Sequence, residues 1–471
     1  MRKLSFVLGP VVFSAALVHC VGDAPITQPG GDAGTDASRA DGASDTGADG
    51  AADTGPKPCD PRPDGGTGFL DDAVGVSAGD DFTCALRLNG DVVCWGSNEP
   101  YQQLAQPVAN LKRSSVPIRI TGFPTKLVKV SAGQGQGKAL DDQKHAWSWG
   151  SNIWGEAGTN EAYGTFLNAP HKIVGVSGTG SLDNVVDVSA GEDHACAADA
   201  TGKVYCWGSS GGGRLGSDTT DDAGQPRINI PVPTKTLAGS ALAVSAANTF
   251  TCAIVRVGSN NQLVQCWGRN NAGQLGADPG TLAGTSTPQT IPNLSAANAL
   301  LGTSVHDFAC SKGANFEVTC WGANQWGQIG ASAPPVFVPV KLYDTTVKAV
   351  TTGNFDTCAL LADGTVKCMG RNDVGQLGQG TDDVNPHPIA NFVVDASGSG
   401  KLQDVFAVSA GGGEFSNGFV CAVAGKRAEC GGTVYCWGTN SAGQLGDGAN
   451  VATIDNTRRS SKPVKVVAPT N

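Results

Sequence analysis

The chain has 471 residues, a formal net charge of −10, only 16% charged residues, 66 glycines and 15 cysteines. An acidic balance with no basic run gives nucleic-acid binding no electrostatic footing. Low charge, abundant glycine and many cysteines suit a turn-rich, disulfide-stapled β protein of an oxidising compartment.

Met1-Arg2-Lys3 is a short basic start, and Leu4 to Val18 is mostly apolar. That run is too short to span a membrane comfortably as a helix, so residues 1–20 read as a signal peptide. Leu17-Val18-His19-Cys20 resembles a bacterial lipobox, with His19 where a small residue is usual. Cys20 is therefore the expected lipidation site, and the mature protein is expected at the outer membrane or cell surface, otherwise in the periplasm or outside the cell. In residues 21–64, Asp32, Asp36, Asp41, Asp45, Asp49 and Asp53 recur among Gly, Ala, Thr and Ser. Such a segment has almost nothing to bury and reads as a disordered tether. Its aspartates do not converge on a sharp loop, so no calcium site is expected.

From residue 65 to 471 the chain aligns with itself. VSAGDDFTCALRLNGDVVCWGSN, VSAGEDHACAADATGKVYCWGSS and VTTGNFDTCALLADGTVKCMGRN are three copies of one block. The anchor positions are Trp95, Trp149, Trp207, Trp267, Trp321, Met369 and Trp437, at steps of 48 to 68 residues. That length suits about four short strands with loops, which is one propeller blade. Alternation and bounding glycines argue strand, and no helical period is sustained.

The cysteines support hairpins. Cys84 and Cys94, Cys196 and Cys206, Cys310 and Cys320, and Cys358 and Cys368 are each ten apart. A three-residue loop sets such a pair face to face, and Gly90, Gly202 and Gly364 fall where that loop needs a left-handed residue. Cys252 pairs with Cys266 and Cys421 with Cys436 across longer hairpins. The second unit has Lys138 and Ser148 instead, both cysteines missing together, as a disulfide predicts. Zinc needs closer spacing and histidine support, so no metal is expected. Two cysteines remain beside Cys20. Cys59 and Cys430 are expected to bridge the seam between the last blade and the first.

Trp-Gly-x-Asn followed by Gly-Gln-Leu-Gly recurs as WGRNNAGQLG, WGANQWGQIG, MGRNDVGQLG and WGTNSAGQLG. At these residues the chain resembles the regulator of chromosome condensation repeat family, over about residues 70–469. The resemblance implies an all-β, seven-bladed β-propeller. The loop after Trp95 departs most, reading SNEPYQQLAQ without the glycines. Leu275, Ile329, Leu377 and Leu445 read as core pegs. The asparagines read as loop staples through Asx turns. The first unit lacks a Pro-x-x-Val strand before it, and the tail supplies Pro463-Val464-Lys465-Val466. The tail is therefore expected to pair into the first blade and close the ring.

No catalytic constellation, cofactor motif or metal set stands out. His194 fills a slot that holds Phe82, Phe250, Phe308 and Phe419 in other units, so it reads as a packing residue. The leading expectation is a monomeric, non-enzymatic protein-binding module of the cell envelope. Tyr101, Trp154 and Trp326 are the candidate binding-face aromatics. A carbohydrate or cell-wall binder would use the same rings for stacking. An enzyme with a loop-built site would draw on the insertions at 209–233 and 412–433. The resemblance also implies guanine nucleotide exchange, which an exported, disulfide-rich chain disfavours.

Overall fold

The computed structural model describes residues 68–469, except 220–223, 260, 295–296, 304–306, 314–315, 331–334, 344–345, 414–417, 427 and 451–456. The signal peptide and Cys20, the tether at 21–64 and Cys59 lie outside the described residues. Among the described residues no helix is long and apolar enough to cross a membrane.

The chain folds into seven four-stranded antiparallel sheets, each built in chain order. They span 73–119, 127–172, 185–233, 240–290, 297–343, 347–392 and 405–465. The first strands of neighbouring blades pack around an axis, so each blade runs outward from it. The result is a seven-bladed β-propeller. Seven apolar clusters fill the junctions: Cys84, Cys94 and Trp149 share the one between blades one and two, and Cys358, Cys368 and Trp437 that between six and seven.

Each cysteine pair sits directly opposite in register, as Cys84↔Cys94 and Cys196↔Cys206 do. Six disulfides form between described residues, joining 84 to 94, 196 to 206, 252 to 266, 310 to 320, 358 to 368 and 421 to 436. All twelve sulfurs' residues are fully buried. The three-residue loop is present where the spacing predicts it: Arg87 N donates to Asp91 O at 2.8 Å, and Gly90 has φ +89°. Lys138 and Ser148 hold the same opposed register without a bond. Cys430 is disulfide-bonded, and Cys59, its expected partner, is outside the described residues.

The first strands explain the recurring Ala-Gly. Gly412 N donates to Gly79 O (2.8 Å), Asp80 N to Gly133 O (3.1 Å), Gln134 N to Gly191 O (3.3 Å) and Glu192 N to Ala247 O (3.2 Å). These bonds run from blade to blade around the axis. A Cβ on Gly79, Gly133, Gly191 or Gly411 would stand 2.2–2.4 Å from the neighbouring carbonyl. Only glycine admits that approach.

The tail departs from the expected closure. Arg459–Lys465 is the outer strand of blade seven itself, with Val464 opposite Cys436. Blade one has its own outer strand, Arg113–Arg119, which carries Pro117 and Ile118 and follows Trp95. The Pro-x-x-Val segment ends each blade rather than opening the next, so no strand was missing. The chain ends still meet. Leu70 N donates to Val466 O and Ala468 N to Gly68 O, both at 3.0 Å, while Phe69 bridges Val467. The ring therefore closes beside blade seven, through the segment leading into blade one.

Candidate functional site

One end of the propeller carries both the turns after Ala-Gly and the loops after Trp-Gly-x-Asn. Its loops are fixed from below. Asn270 Oδ1 accepts the Leu275 amide at 2.8 Å, and its Nδ2 donates to the Ala277 and Leu282 carbonyls. Asn98, Asn152, Asn324, Asn372 and Asn440 make the same backbone bond. The staple reaches five or six residues onward, beyond the two of an Asx turn. It seats Leu275, Ile329, Leu377 and Leu445 in the core.

Each loop is also tied to the next blade. Trp149, Trp207, Trp267, Trp321, Trp437 and Trp95 donate their indole N–H to the carbonyls of Gln103, Glu156, Arg214, Gln274, Gln376 and Gln444, at 2.8–3.0 Å. The last of these crosses the seam. Met369 has no N–H to give, and there Thr357 Oγ1 donates to Gln328 O at 2.8 Å.

The first loop keeps this geometry without glycines. Leu104 is buried, Trp149 binds Gln103, and Gln102 and Ala105 take φ +60° and +52°. Non-glycine residues resist that region by about 1–2 kcal/mol. Ala105→Gly is expected to stabilise the protein by about 0.5–1 kcal/mol, after glycine's larger unfolded-state entropy is set against the relief. Urea unfolding with an unmoved midpoint would contradict this.

The candidate aromatics do not form one patch. Tyr101 lies over Gly135 of blade two, where a Cβ would meet its ring at 2.4 Å, and packs edge-on to Phe166 with centroids 6.1 Å apart. Trp154 is 37% exposed in the blade-two loop. Trp326 belongs to blade five, half-covered by the Arg371 guanidinium 5.4 Å from its centroid. Tyr101 and Trp154 thus stand on adjacent blades and Trp326 stands apart.

What surrounds Tyr101 was not anticipated. Burial raises its phenol pKa, and the charges of Asp193, Asp80, Asp81 and Glu156 raise it further. The fields of four carboxyl groups from three blades therefore reach one ring. Their trace in the sequence is the acidic pair after Ala-Gly, Asp80-Asp81 in one unit and Glu192-Asp193 in another. Burial, then the neighbouring Asp80, pushes Asp81 up to about 7, although Gln103 Nε2 donates to it at 3.1 Å. Its carboxyl turns inward to Gln103 and Ser97.

A raised carboxyl pKa favours the folded state at low pH, and that stability is lost as pH rises from about 4 to about 7. Asp81→Asn stays neutral throughout. It is expected to match the parent at pH 4 and exceed it by about 2 kcal/mol at pH 8, solvent screening included. Parallel melting curves at the two pH values check this, and a pH-independent difference would refute it.

His194 is buried, with Nε2 at 2.8 Å from Thr251 Oγ1. Burial, then Arg214, lowers its pKa well below the usual value. It packs between blades, as the aromatic slot predicts. Asp356 occupies the same slot in blade six. It is fully buried, with both carboxyl oxygens unpartnered among the described residues, and burial raises its pKa. No group of three or more metal-ligating side chains occurs among the described residues. Both insertions are only partly described; they contribute the turns Gly211–Gly213 and Ala428–Cys430.

Models of the regulator of chromosome condensation (RCC1) repeat match residues 73–103, 185–214 and 347–376, and also 201–254 and 431–471. The chain is 31% identical over 243 residues to the human E3 ubiquitin-protein ligase HERC2, a match covering 48% of this chain but 5% of that protein. It is 26% identical over 342 residues to the ultraviolet-B receptor UVR8 of Arabidopsis thaliana, covering 70% and 69%. Among solved structures, Saccharomyces cerevisiae Prp20p superimposes with a TM-score of 0.62 at 18% identity, over 75% of this chain and 83% of that one. Human WBSCR16 gives 0.60 at 18%, over 76% and 85%. At such identities the likeness carries the fold alone. Repeat matches, internal sequence symmetry and seven clamped blades agree: the chain is a seven-bladed β-propeller that carries regulator of chromosome condensation repeats.

Proposed function

We propose that this propeller is an exported, lipid-anchored module that binds a protein partner in the cell envelope through its loop face and catalyses nothing. Propellers of this family are in general binding or exchange modules rather than enzymes. The observation that carries the reading is the Tyr101 surround. A part-buried aromatic ring in the field of Asp80 and Asp193, from two blades, is an acidic contact surface, and tyrosine is a favoured interface anchor. Export is supported by six buried disulfides, which form and persist in oxidising compartments and are rare in reducing ones. The anchor rests on Cys20.

The test immobilises the oxidised protein and exposes it to solubilised envelope and culture-fluid proteins. A saturable partner lost with Tyr101→Ala supports the reading. Capture unchanged by that variant moves the site elsewhere. Capture abolished by soluble sugars favours the carbohydrate alternative. Metabolic labelling with a fatty acid, absent from Cys20→Ser, tests the anchor. One observation favours a second reading. A Bos taurus secretion-regulating guanine nucleotide exchange factor is 28% identical over 278 residues, covering 54% of this chain and 56% of that protein. Accelerated nucleotide release from a small GTPase would support it.

A further inference from the structure

Blade two departs from the repeat at four positions, all in its interior. Gln136 stands where most other units carry an aromatic, Lys138 and Ser148 where they carry cysteines, and Glu156 where most carry the loop glutamine. All four are at most 1% exposed. Independent drift would scatter such changes. Their concentration in one blade makes them a single polar cluster, and a buried amine and carboxyl are costly unless they serve each other.

The contacts are specific. Lys138 Nζ donates to Gln136 Oε1. Gln136 Nε2 donates to the backbone carbonyls of Gly191 (3.3 Å), Glu192 (3.0 Å) and His194 (3.2 Å). Glu156 is the acidic group that acts on Lys138. Its own carboxyl accepts from Ser151 Oγ and from the Ile153 and Trp154 amides. Burial lowers the amine's pKa to about 7 and raises that of the carboxyl. Burial thus disfavours charge both on the amine that lies against the carboxamide and on the carboxyl in the same interior. Full burial leaves this amine no partner for chemistry outside its own blade.

We infer that blade two forms an internal amide bond between Lys138 Nζ and Gln136 Cδ, with Glu156 moving the proton. The amine lone pair adds to Cδ, one bond from the oxygen it already contacts. The proton leaving Nζ passes through Glu156 to Nε2. The Cδ–Nε2 bond then breaks and ammonia departs. One amine and one primary amide become one secondary amide and one ammonia, with no oxidant or reductant. The three carbonyls already gathered at Nε2 receive the leaving group. The product replaces a buried ionisable amine with a neutral amide, which removes the cost of burying a charge.

Intact mass spectrometry of the purified, oxidised full chain reads the result. A mass one ammonia below that of the disulfide-bonded sequence is expected, with the loss located in residues 136–138 and no tryptic cleavage after Lys138. Glu156→Gln restores the residue most other loops carry and should fold. In it the loss is expected to fall at least tenfold in rate, with an unchanged near-ultraviolet circular dichroism spectrum. Free Lys138 and Gln136 at their sequence masses in aged, folded protein would overturn the bond. Full ammonia loss in the Glu156→Gln variant would overturn the role given to Glu156.

Discussion

Trp207→Ala is expected to destabilise the protein by about 3–5 kcal/mol, the range for removing a fully buried indole. The ring is fully buried, closes the junction between blades two and three, and donates to Glu156 O at 2.9 Å. Gly158 lies against it so closely that a Cβ there would stand 2.6 Å from Nε1. Gly158 has no side chain to fill the space, so the cavity term should be large. Trp207→Phe separates packing from the hydrogen bond. It keeps most of the ring and leaves the Glu156 carbonyl without its donor, for about 1 kcal/mol. The same change at Trp267 should cost less, because Thr251 Oγ1 also donates to Arg214 O, at 2.8 Å. Thr357→Val should cost as much as Trp207→Phe, since at that junction the hydroxyl stands in for the indole. Guanidinium unfolding of the oxidised variants ranks them. Equal losses for Trp207→Phe and Trp267→Phe would remove the clamp from the account of ring stability.

Much of this was legible because repetition multiplies weak signals. One Trp-Gly dipeptide says little. Six at blade spacing, with Met369-Gly370 as the seventh anchor and cysteines ten apart around a three-residue loop, fix strand register and pairing. The strand order within a blade was less legible. A cyclic pattern does not say where a unit begins, and framing it at the Pro-x-x-Val segment left an apparent orphan at the tail. Physical closure instead joins Trp95 to Gln444 and Leu70 to Val466, contacts between residues more than 340 positions apart. The first loop also looked broken for want of glycine. Asn98 and Leu104 hold it nonetheless, and Gln102 and Ala105 take left-handed backbone. The surround of Tyr101 was illegible for another reason. Asp81, Glu156 and Asp193 lie in three different units and come near one another only when neighbouring blades pack. No local pattern reports a sum of charges across blades.

Lys138→Cys with Ser148→Cys tests the opposite direction, by adding rather than removing a constraint. The two positions are directly opposed and ten apart, like the natural pairs at 84 and 94 or 196 and 206. In the natural pairs the Cα atoms lie 4.0–4.1 Å apart. The hairpin already closes with Asp141 N on His145 O at 3.0 Å, so the backbone need not move. A bridge over this loop should stabilise by about 2–3 kcal/mol on the loop-entropy model. Removing the buried amine adds to this. Its pKa is lowered to about 7 by burial, so the unfolded chain binds its proton more tightly, and the parent loses stability as pH falls from about 10 toward 7. Against parent chains whose Lys138 amine is free, the gain should therefore be larger at pH 7 than at pH 10, and against chains that hold the amide it should not depend on pH. An internal amide at Lys138 would not offset the gain, because it joins neighbours on one strand and constrains little of the unfolded chain. The Lys138→Cys single variant supplies the reference without a bridge. A double variant no more stable than that reference would mean blade two cannot accept the bond, and that its polar interior is incompatible with the geometry its sister blades share.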